Sequence, residues 1–394
     1  MYAIPFFCAG NEKNHYLVVR MKRKVTIATD SFKGSLTARR ASKALAEGVC
    51  SVVPDCEVEV IPLADGGEGT AEILTEALQG VWVELSASDP IGRPIVVRYG
   101  LCGEVAVMDM SAAAGLTLLS QKESMRASTF GVGEMILDAL RRGVRRVVVG
   151  AGGSATTDCG MGALEALGYG FLDANGRKLQ GCGESLARVV NIDKGGVSPL
   201  LEGVRIEIIA DVGSPLYGPM GAAQVFAPQK GANPEQVALL DDGLKHFAKV
   251  VAECTQRDMA SVVGAGAAGG FAGGLWALVG AEIRCGVDVV LEAVEFDRRA
   301  AGSDLIITGE GRVDSQTLMG KVPGGVLESG RSMGDAVVAV GGSVEWSREL
   351  LGCGFSDIVA ATPEGMPLQE AMQSSVAEEN LRQAGALVAE SFLR

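Results

Sequence analysis

The sequence predicts an α/β protein of two domains, and three observations carry that prediction. A chain of 394 residues, 47% of them hydrophobic, exceeds what one core holds. Both ends alternate short β-rich runs with helical spacing, the grammar of a parallel sheet covered by helices. The 54 glycines, against 5% aromatic residues, call for many tight turns and close backbone approaches, as in α/β loops that bind ligands.

At the start, Val25 to Thr29 reads as a strand and Leu36 to Val53 as a helix with Leu45 and Val49 on one face. Val58 to Leu63 is a second strand, Gly69 to Leu78 a helix closed by Gly80, and Val81 to Leu85 a third strand. Near the other end, Asp304 to Thr308, Ala336 to Val340 and Asp357 to Ala361 are buried-strand patterns, and a helix runs from Leu368 to Leu393. The middle differs: it has glycine-rich connections, a hairpin turn at Asp173-Ala174-Asn175-Gly176 and an amphipathic helix from Pro234 to Cys254. Residues 21–90 and 295–394 therefore form a discontinuous Rossmann- or flavodoxin-like parallel-sheet domain. Residues 91–294 form a second α/β domain inserted in its middle, with the cleft between them the expected site. Met21-Lys22-Arg23-Lys24 reads as a natural protein start, which makes residues 1–20 an extension without a role in the fold.

Composition excludes several functions. The formal net charge is −13 and no Lys/Arg cluster is visible, which argues against nucleic acid and against an anionic membrane surface. Ser261 to Ala281 carries no charge but holds seven glycines, too little apolar surface for a membrane span. No secretory signal is legible, and nine cysteines without a C-x-x-C pair read as free thiols in a reducing compartment, the cytoplasm. Only two histidines exist, His15 in the extension and His246 on a charged helical stretch. Ser-His-Asp, Cys-His and His-rich zinc chemistry are thereby set aside, leaving Asp, Glu, Lys or Cys for proton transfer.

Five clusters sit where strands end. Asp65-Gly66-Gly67-Glu68-Gly69-Thr70 follows a strand and opens a helix, so its N–H groups and the helix dipole favour an anion. Gly150 to Asp158 repeats the arrangement and adds Ser154, Thr156, Thr157 and Asp158; a ligand-free βα turn is the plainer reading of either loop. Thr308-Gly309-Glu310-Gly311-Arg312-Val313-Asp314 ends a strand: Arg312 could pair with a carboxylate or phosphate and Asp314 could hold a metal water, or the two could form a surface ion pair. In Asp30-Ser31-Phe32-Lys33-Gly34-Ser35, Lys33 is an anion partner and Ser35 either a ligand or a helix cap. Asp211, ending the strand Arg205 to Ala210, could take the proton of an attacking hydroxyl or merely cap the following turn. None of these is a Walker A loop, since Gly320-Lys321 is followed by Val322. Gly264-Ala265-Gly266-Ala267-Ala268-Gly269 and Gly150 to Ala155 fit loose dinucleotide patterns. They leave open an NAD(P)-dependent oxidoreductase of a small hydroxy acid, or a non-catalytic sensor of such an acid or of a nucleotide.

These stretches, together with Val225-Phe226, Pro228-Gln229-Lys230-Gly231-Ala232 and Gln316-Thr317 with Gly320-Lys321-Val322-Pro323, resemble in order the bacterial glycerate kinases of the glycerate 2-kinase type. The resemblance runs from about residue 21 to the end; Thr157, Ser214, Val132 and Ala227 depart from the usual pattern. It implies a two-domain α/β kinase that uses ATP with Mg²⁺ to phosphorylate D-glycerate, giving 2-phosphoglycerate. It implies a substrate site of Ser31, Phe32, Ser35, Asp65, Gly66, Gly67, Glu68 and Arg312 with Lys33 as a catalytic cation. Nucleotide phosphates would lie against Gly152, Gly153, Ser154, Thr156 and Asp158, Asp211 would be the base, and Asp314 is the one metal candidate. The partner is then a small molecule, and a homodimer is left open.

Overall fold

The computed structural model describes residues 22–67, 69–210 and 213–394. Its strands are β1 (Lys24–Thr29), β2 (Glu57–Val60), β3 (Val81–Ser88), β4 (Pro94–Cys102), β5 (Val105–Asp109), β6 (Arg146–Gly150) and β7 (Gly170–Leu172). They continue as β8 (Asn191–Asp193), β9 (Arg205–Ala210), β10 (Glu282–Cys285), β11 (Leu305–Val313), β12 (Val337–Val344) and β13 (Asp357–Ala360). The chain divides into two compact units. The first holds the described residues up to Pro62 with Asp297–Asp314 and Val326–Arg394, and the second holds Leu63–Phe296 with Ser315–Gly325.

In the first unit five strands lie in the order β13-β12-β11-β1-β2, all parallel. Counted within the unit this is 2-1-3-4-5, the flavodoxin-like order. The central strands are buried on both faces, so they read as continuous apolar runs. Thr37 accepts from the Arg40 N–H to cap the helix Ala38–Val52, which with Ser374–Leu393 covers Val25, Ile27, Leu305 and Val338. The single C-terminal helix expected from 368 is broken: Leu368–Ala371 ends at Met372, and Gln373 is extended before Ser374–Leu393 begins.

The second unit contains a six-stranded sheet, β10-β9-β6-β5-β4-β3, parallel from β10 to β5 and antiparallel from β5 to β3. Met108, Val147, Val149, Ile206 and Ile208 build its core with Met135, Leu244 and Phe271 from the helices Phe130–Arg141, Pro234–Thr255 and Phe271–Val279. Asn233 and Gln236 form a capping box on the Pro234 helix. The 173–176 turn joins a small antiparallel ribbon, as its sequence predicts. The apolar run 261–281 yields only the nine-residue helix Phe271–Val279, and among the described residues no helix is long and apolar enough to cross a membrane.

Two sequence expectations need correction here. The passage between units comes at Pro62, not at residue 90, so the helix Thr70–Ala77 and β3 belong to the second unit. β3 is an antiparallel edge strand rather than a third parallel one: its burial alternates, and a short loop returns it to β4. In that loop the N–H of Asp89 donates to Arg93 O and the N–H of Gly92 to Asp89 O, so Asp89-Pro90-Ile91-Gly92 is a hairpin signal of the usual composition.

Candidate active site

In the second unit, Asp109, Gly150, Ala210 and Cys285 end four adjacent parallel strands, the side of an open α/β sheet where ligands bind. The loop from Leu63 to Gly67 lies across those ends. Gly66 has φ +99°, and a Cβ there would stand 2.9 Å from Ile209 O. Asp65 is buried, and its Oδ1 accepts the Gly67 N–H at 3.0 Å, so its carboxylate shapes the turn from inside. The helix Thr70–Ala77 does not present all its first N–H groups to an anion: Asp109 accepts from Gly69 N at 3.1 Å and Ala71 N at 3.0 Å. Glu68 lies outside the described residues.

The loop after β6 packs directly on that first loop. Gly152 N donates to Gly66 O at 3.2 Å, and a Cβ on Gly152 would fall 2.5 Å from Gly67 Cα. Gly153, with φ +72°, is exposed at the loop's outer edge, and its carbonyl accepts from Leu116 N. Behind them the loop is buried. Lys230, buried in its own turn after the helix Ala222–Phe226, donates from Nζ to Ser154 Oγ at 3.0 Å and to Thr156 O at 2.6 Å. Burial pushes its ammonium down to about 8, against the pull of the Asp158 charge. The hydroxyls of Thr156 and Thr157 on this loop are buried and, among the described residues, have no hydrogen-bond partner.

Asp158 is not placed to meet a phosphate, contrary to its sequence-based assignment. It is wholly buried, and its carboxylate accepts from Thr129 N and Thr129 Oγ1, both at 2.8 Å, Gly160 N at 3.1 Å and Gly162 N at 3.2 Å. Burial pushes this carboxyl upward, while those donors pull it the other way. Asp158 ties the start of the helix Met161–Ala166 to the start of Phe130–Arg141. Thr156 likewise turns its side chain inward and contributes its carbonyl to Lys230.

The glycine run 264–270 serves close packing. A Cβ on Gly269 would lie 2.1 Å from Thr156 O, and Gly266 N donates to Ser214 O at 3.0 Å. A 3₁₀ turn (Met259–Ser261) precedes the run where a dinucleotide fingerprint needs a strand. Asp173, the acidic residue at dinucleotide distance from Gly150, instead closes its hairpin by accepting from Asn175 and Arg177. His246 holds Val189 O at 2.8 Å from Nε2, a structural contact.

In the first unit, the cluster after β1 lies beside β11, which runs on through Val313 rather than ending at Thr308 as the sequence suggests, so Gly309 to Arg312 are strand residues, with Thr29 paired to Gly309 and Arg312 to Ser343. Phe32 to Leu36 is a tight turn with Lys33 and Gly34 at its exposed tip. The Ser35 hydroxyl donates to Phe32 O at 2.8 Å, and the helix cap is Thr37, not Ser35. Ser31 is half-buried, its N–H held by Asp30 Oδ1. Phe32 is a core residue rather than a substrate contact: it is buried among Leu36, Leu45 and Val340 and covers Gly309 and Gly342. Arg312 is exposed and pairs with Glu345 and, at 3.4 Å, with Asp314. A Cβ on Gly311 would lie 3.4 Å from Lys33 N, so the two cationic turns are adjacent.

Among the described residues no three His, Cys, Asp or Glu converge as a metal cage. A nucleotide-bound Mg²⁺ needs only one or two carboxylates, with phosphates and waters completing its shell. Asp314 suits that demand, with Arg312 beside it. Asp211 lies outside the described residues. Lys230 and Asp109, which hold the two loops in shape, were missed as site residues; Lys230 stands within the Pro228–Ala232 motif, but nothing local shows where its side chain goes.

The family model described as the glycerate kinase family matches residues 25–393. A glycerate kinase of Bacillus subtilis is 39% identical over 355 residues, covering 89% of this chain and 93% of its own. The Escherichia coli glycerate 2-kinase is 38% identical over 325 residues, covering 82% and 85%. A crystal structure of a Salmonella typhimurium LT2 protein assigned as a glycerate kinase 2 superposes with a TM-score of 0.80 at 37% identity, covering 94% of this chain and 98% of its own.

Proposed function

Because this chain belongs to the glycerate kinase family, we propose that it transfers the γ-phosphoryl group of ATP to D-glycerate, giving 2-phosphoglycerate and ADP. The observation that carries the reading is the extent of the family match: residues 25–393 take in all three sheets but for Lys24 and every loop described above. Phosphoryl transfer asks a protein mainly to position reactants and neutralise charge, which suits a chain with no catalytic histidine.

In the second unit, Gly152 and Gly153, with Ser154 behind them, are the surface for the nucleotide phosphates, and Gly66 and Gly67 present backbone beside them. In the first unit, the Lys33 ammonium and the Arg312 guanidinium are the cations for the glycerate carboxylate, with Ser31 at the same strand end. The C2 hydroxyl oxygen attacks the γ-phosphorus, the bond from that phosphorus to the β–γ bridging oxygen breaks, and ADP departs with that oxygen. Asp211 is assigned the hydroxyl proton, on its place after β9. Mg²⁺ bound with ATP would supply charge neutralisation, with Asp314 as its candidate carboxylate. The described cysteines are all free thiols, which supports the cytoplasm as the place of work.

The test is ADP release from ATP and Mg²⁺, measured with and without D-glycerate. Release that depends on D-glycerate, and is faster than with L-glycerate or lactate, is expected. Release equal with and without acceptor would defeat the proposal.

A further inference from the structure

A fully buried lysine is costly unless its charge is used, because burial favours the neutral amine. Among the described residues Lys230 has no carboxylate partner within hydrogen-bond reach: its Nζ contacts are a hydroxyl at 3.0 Å and a carbonyl at 2.6 Å, both on the loop after β6. Its charged neighbours are Asp158, whose carboxylate is already saturated by four donors, and the exposed Lys122, which abuts Gly231. On the outer edge of the same loop Gly153 is exposed and carries no side chain to separate a ligand from the backbone, with Gly152 half-buried beside it against Gly67. Among the described residues the buried hydroxyls of Thr156 and Thr157 on the same loop have no hydrogen-bond partner, so the loop is not optimised for stability alone.

We propose that Lys230 is a positioning residue for the nucleotide: from behind the loop it fixes Ser154 and Thr156 and lends its buried positive charge to phosphates held at Gly152 and Gly153. This rests on the assignment of that loop to the phosphates. A cation in a dry setting acts on an anion across a layer of backbone far more strongly than one in water. The charge therefore bears on the nucleotide and not on glycerate.

The experiment compares K230M, which removes donors and charge, with K230Q, which keeps two N–H donors and removes the charge. Steady-state constants for ATP and for D-glycerate and the melting temperature are read for each. Both variants should raise KM for ATP by about tenfold or more, the effect of losing one charge-assisted interaction, with KM for D-glycerate within about twofold of wild type. K230Q should recover much of the melting temperature that K230M loses. The wild type gives a reading that needs no variant: between pH 7.5 and 9.5 the Kd of ADP should rise about five- to tenfold as this ammonium, held at about 8, loses its proton, while the Kd of glycerate stays flat. Wild-type KM for ATP in K230Q, equal rises for ATP and glycerate, or an ADP affinity flat with pH would each overturn the proposal. A rise for glycerate alone would overturn it too, by moving the loop to the acceptor, while leaving the kinase reading intact. A wild type without glycerate-dependent ADP release would instead remove the proposed function.

Discussion

Replacing Asp158 with alanine separates two roles that its position in the chain confounds. In the structure the carboxylate serves three backbone N–H groups and one hydroxyl, all buried. Truncation strands those donors where water does not reach, and each orphaned buried donor costs roughly 1–3 kcal/mol. The contacts share one anion and are not additive, so the total should be about 3–6 kcal/mol. For a unit of this size each kcal/mol moves the melting temperature by about 2–4 °C, which places the expected fall at roughly 6–24 °C. D158N should be almost as harmful, because its amide nitrogen turns a donor toward donors. The assay is thermal unfolding followed by circular dichroism, run beside steady-state kinetics at a temperature where both variants stay folded. A D158N protein that melts like the wild type but has a KM for ATP raised tenfold would refute the argument and return Asp158 to the ligand.

Three further outcomes follow from the geometry. Glu207 is wholly buried among Arg146 (2.7 Å), Arg205 (3.0 Å) and Arg284 (3.2 Å); burial pushes its carboxyl up, but the arginines outweigh that and hold it below the usual glutamate range. E207Q should therefore cost about 3–5 kcal/mol at pH 7. A depressed carboxyl stabilises above its unfolded value near 4.5 and loses that contribution as pH falls through the lower folded value, so the gap in melting temperature should narrow as pH falls below 4.5. Gly152→Ala forces a methyl to within 2.5 Å of Gly67 Cα, which must part the two loops; turnover should fall by about a hundredfold with the far-ultraviolet spectrum unchanged. Asp211→Asn should lower kcat by about 10²–10⁴ with KM for ATP little changed, and near-full turnover would remove Asp211 as the base.

The strands of the flavodoxin-like sheet were legible because each is a short apolar run with its own turn signals, and Val25 to Thr29 falls within one residue of β1. The place of β3 is not legible in the same way, because periodicity within a strand says nothing about its partner, here the antiparallel β4. At the site, glycines that need positive φ or close approach could be read locally, as at Gly66 and Gly152. Side-chain direction could not. Asp158 and Phe32 stand beside such glycines yet face inward, and nothing in residue type separates a carboxylate that meets a ligand from one that saturates buried N–H groups. Lys230 lies 76 residues from Ser154, and Asp109 lies 40 from Gly69, so neither contact exists until the sheet brings strand ends together.

The most direct measurement feeds the reaction product to enolase with no phosphoglycerate mutase present. With the wild-type protein, ATP, Mg²⁺ and D-glycerate, absorbance from phosphoenolpyruvate should rise at once and match ADP release one for one. ADP release with no phosphoenolpyruvate until mutase is added would place the phosphoryl group on the 3-hydroxyl and contradict a 2-phosphoglycerate-forming kinase.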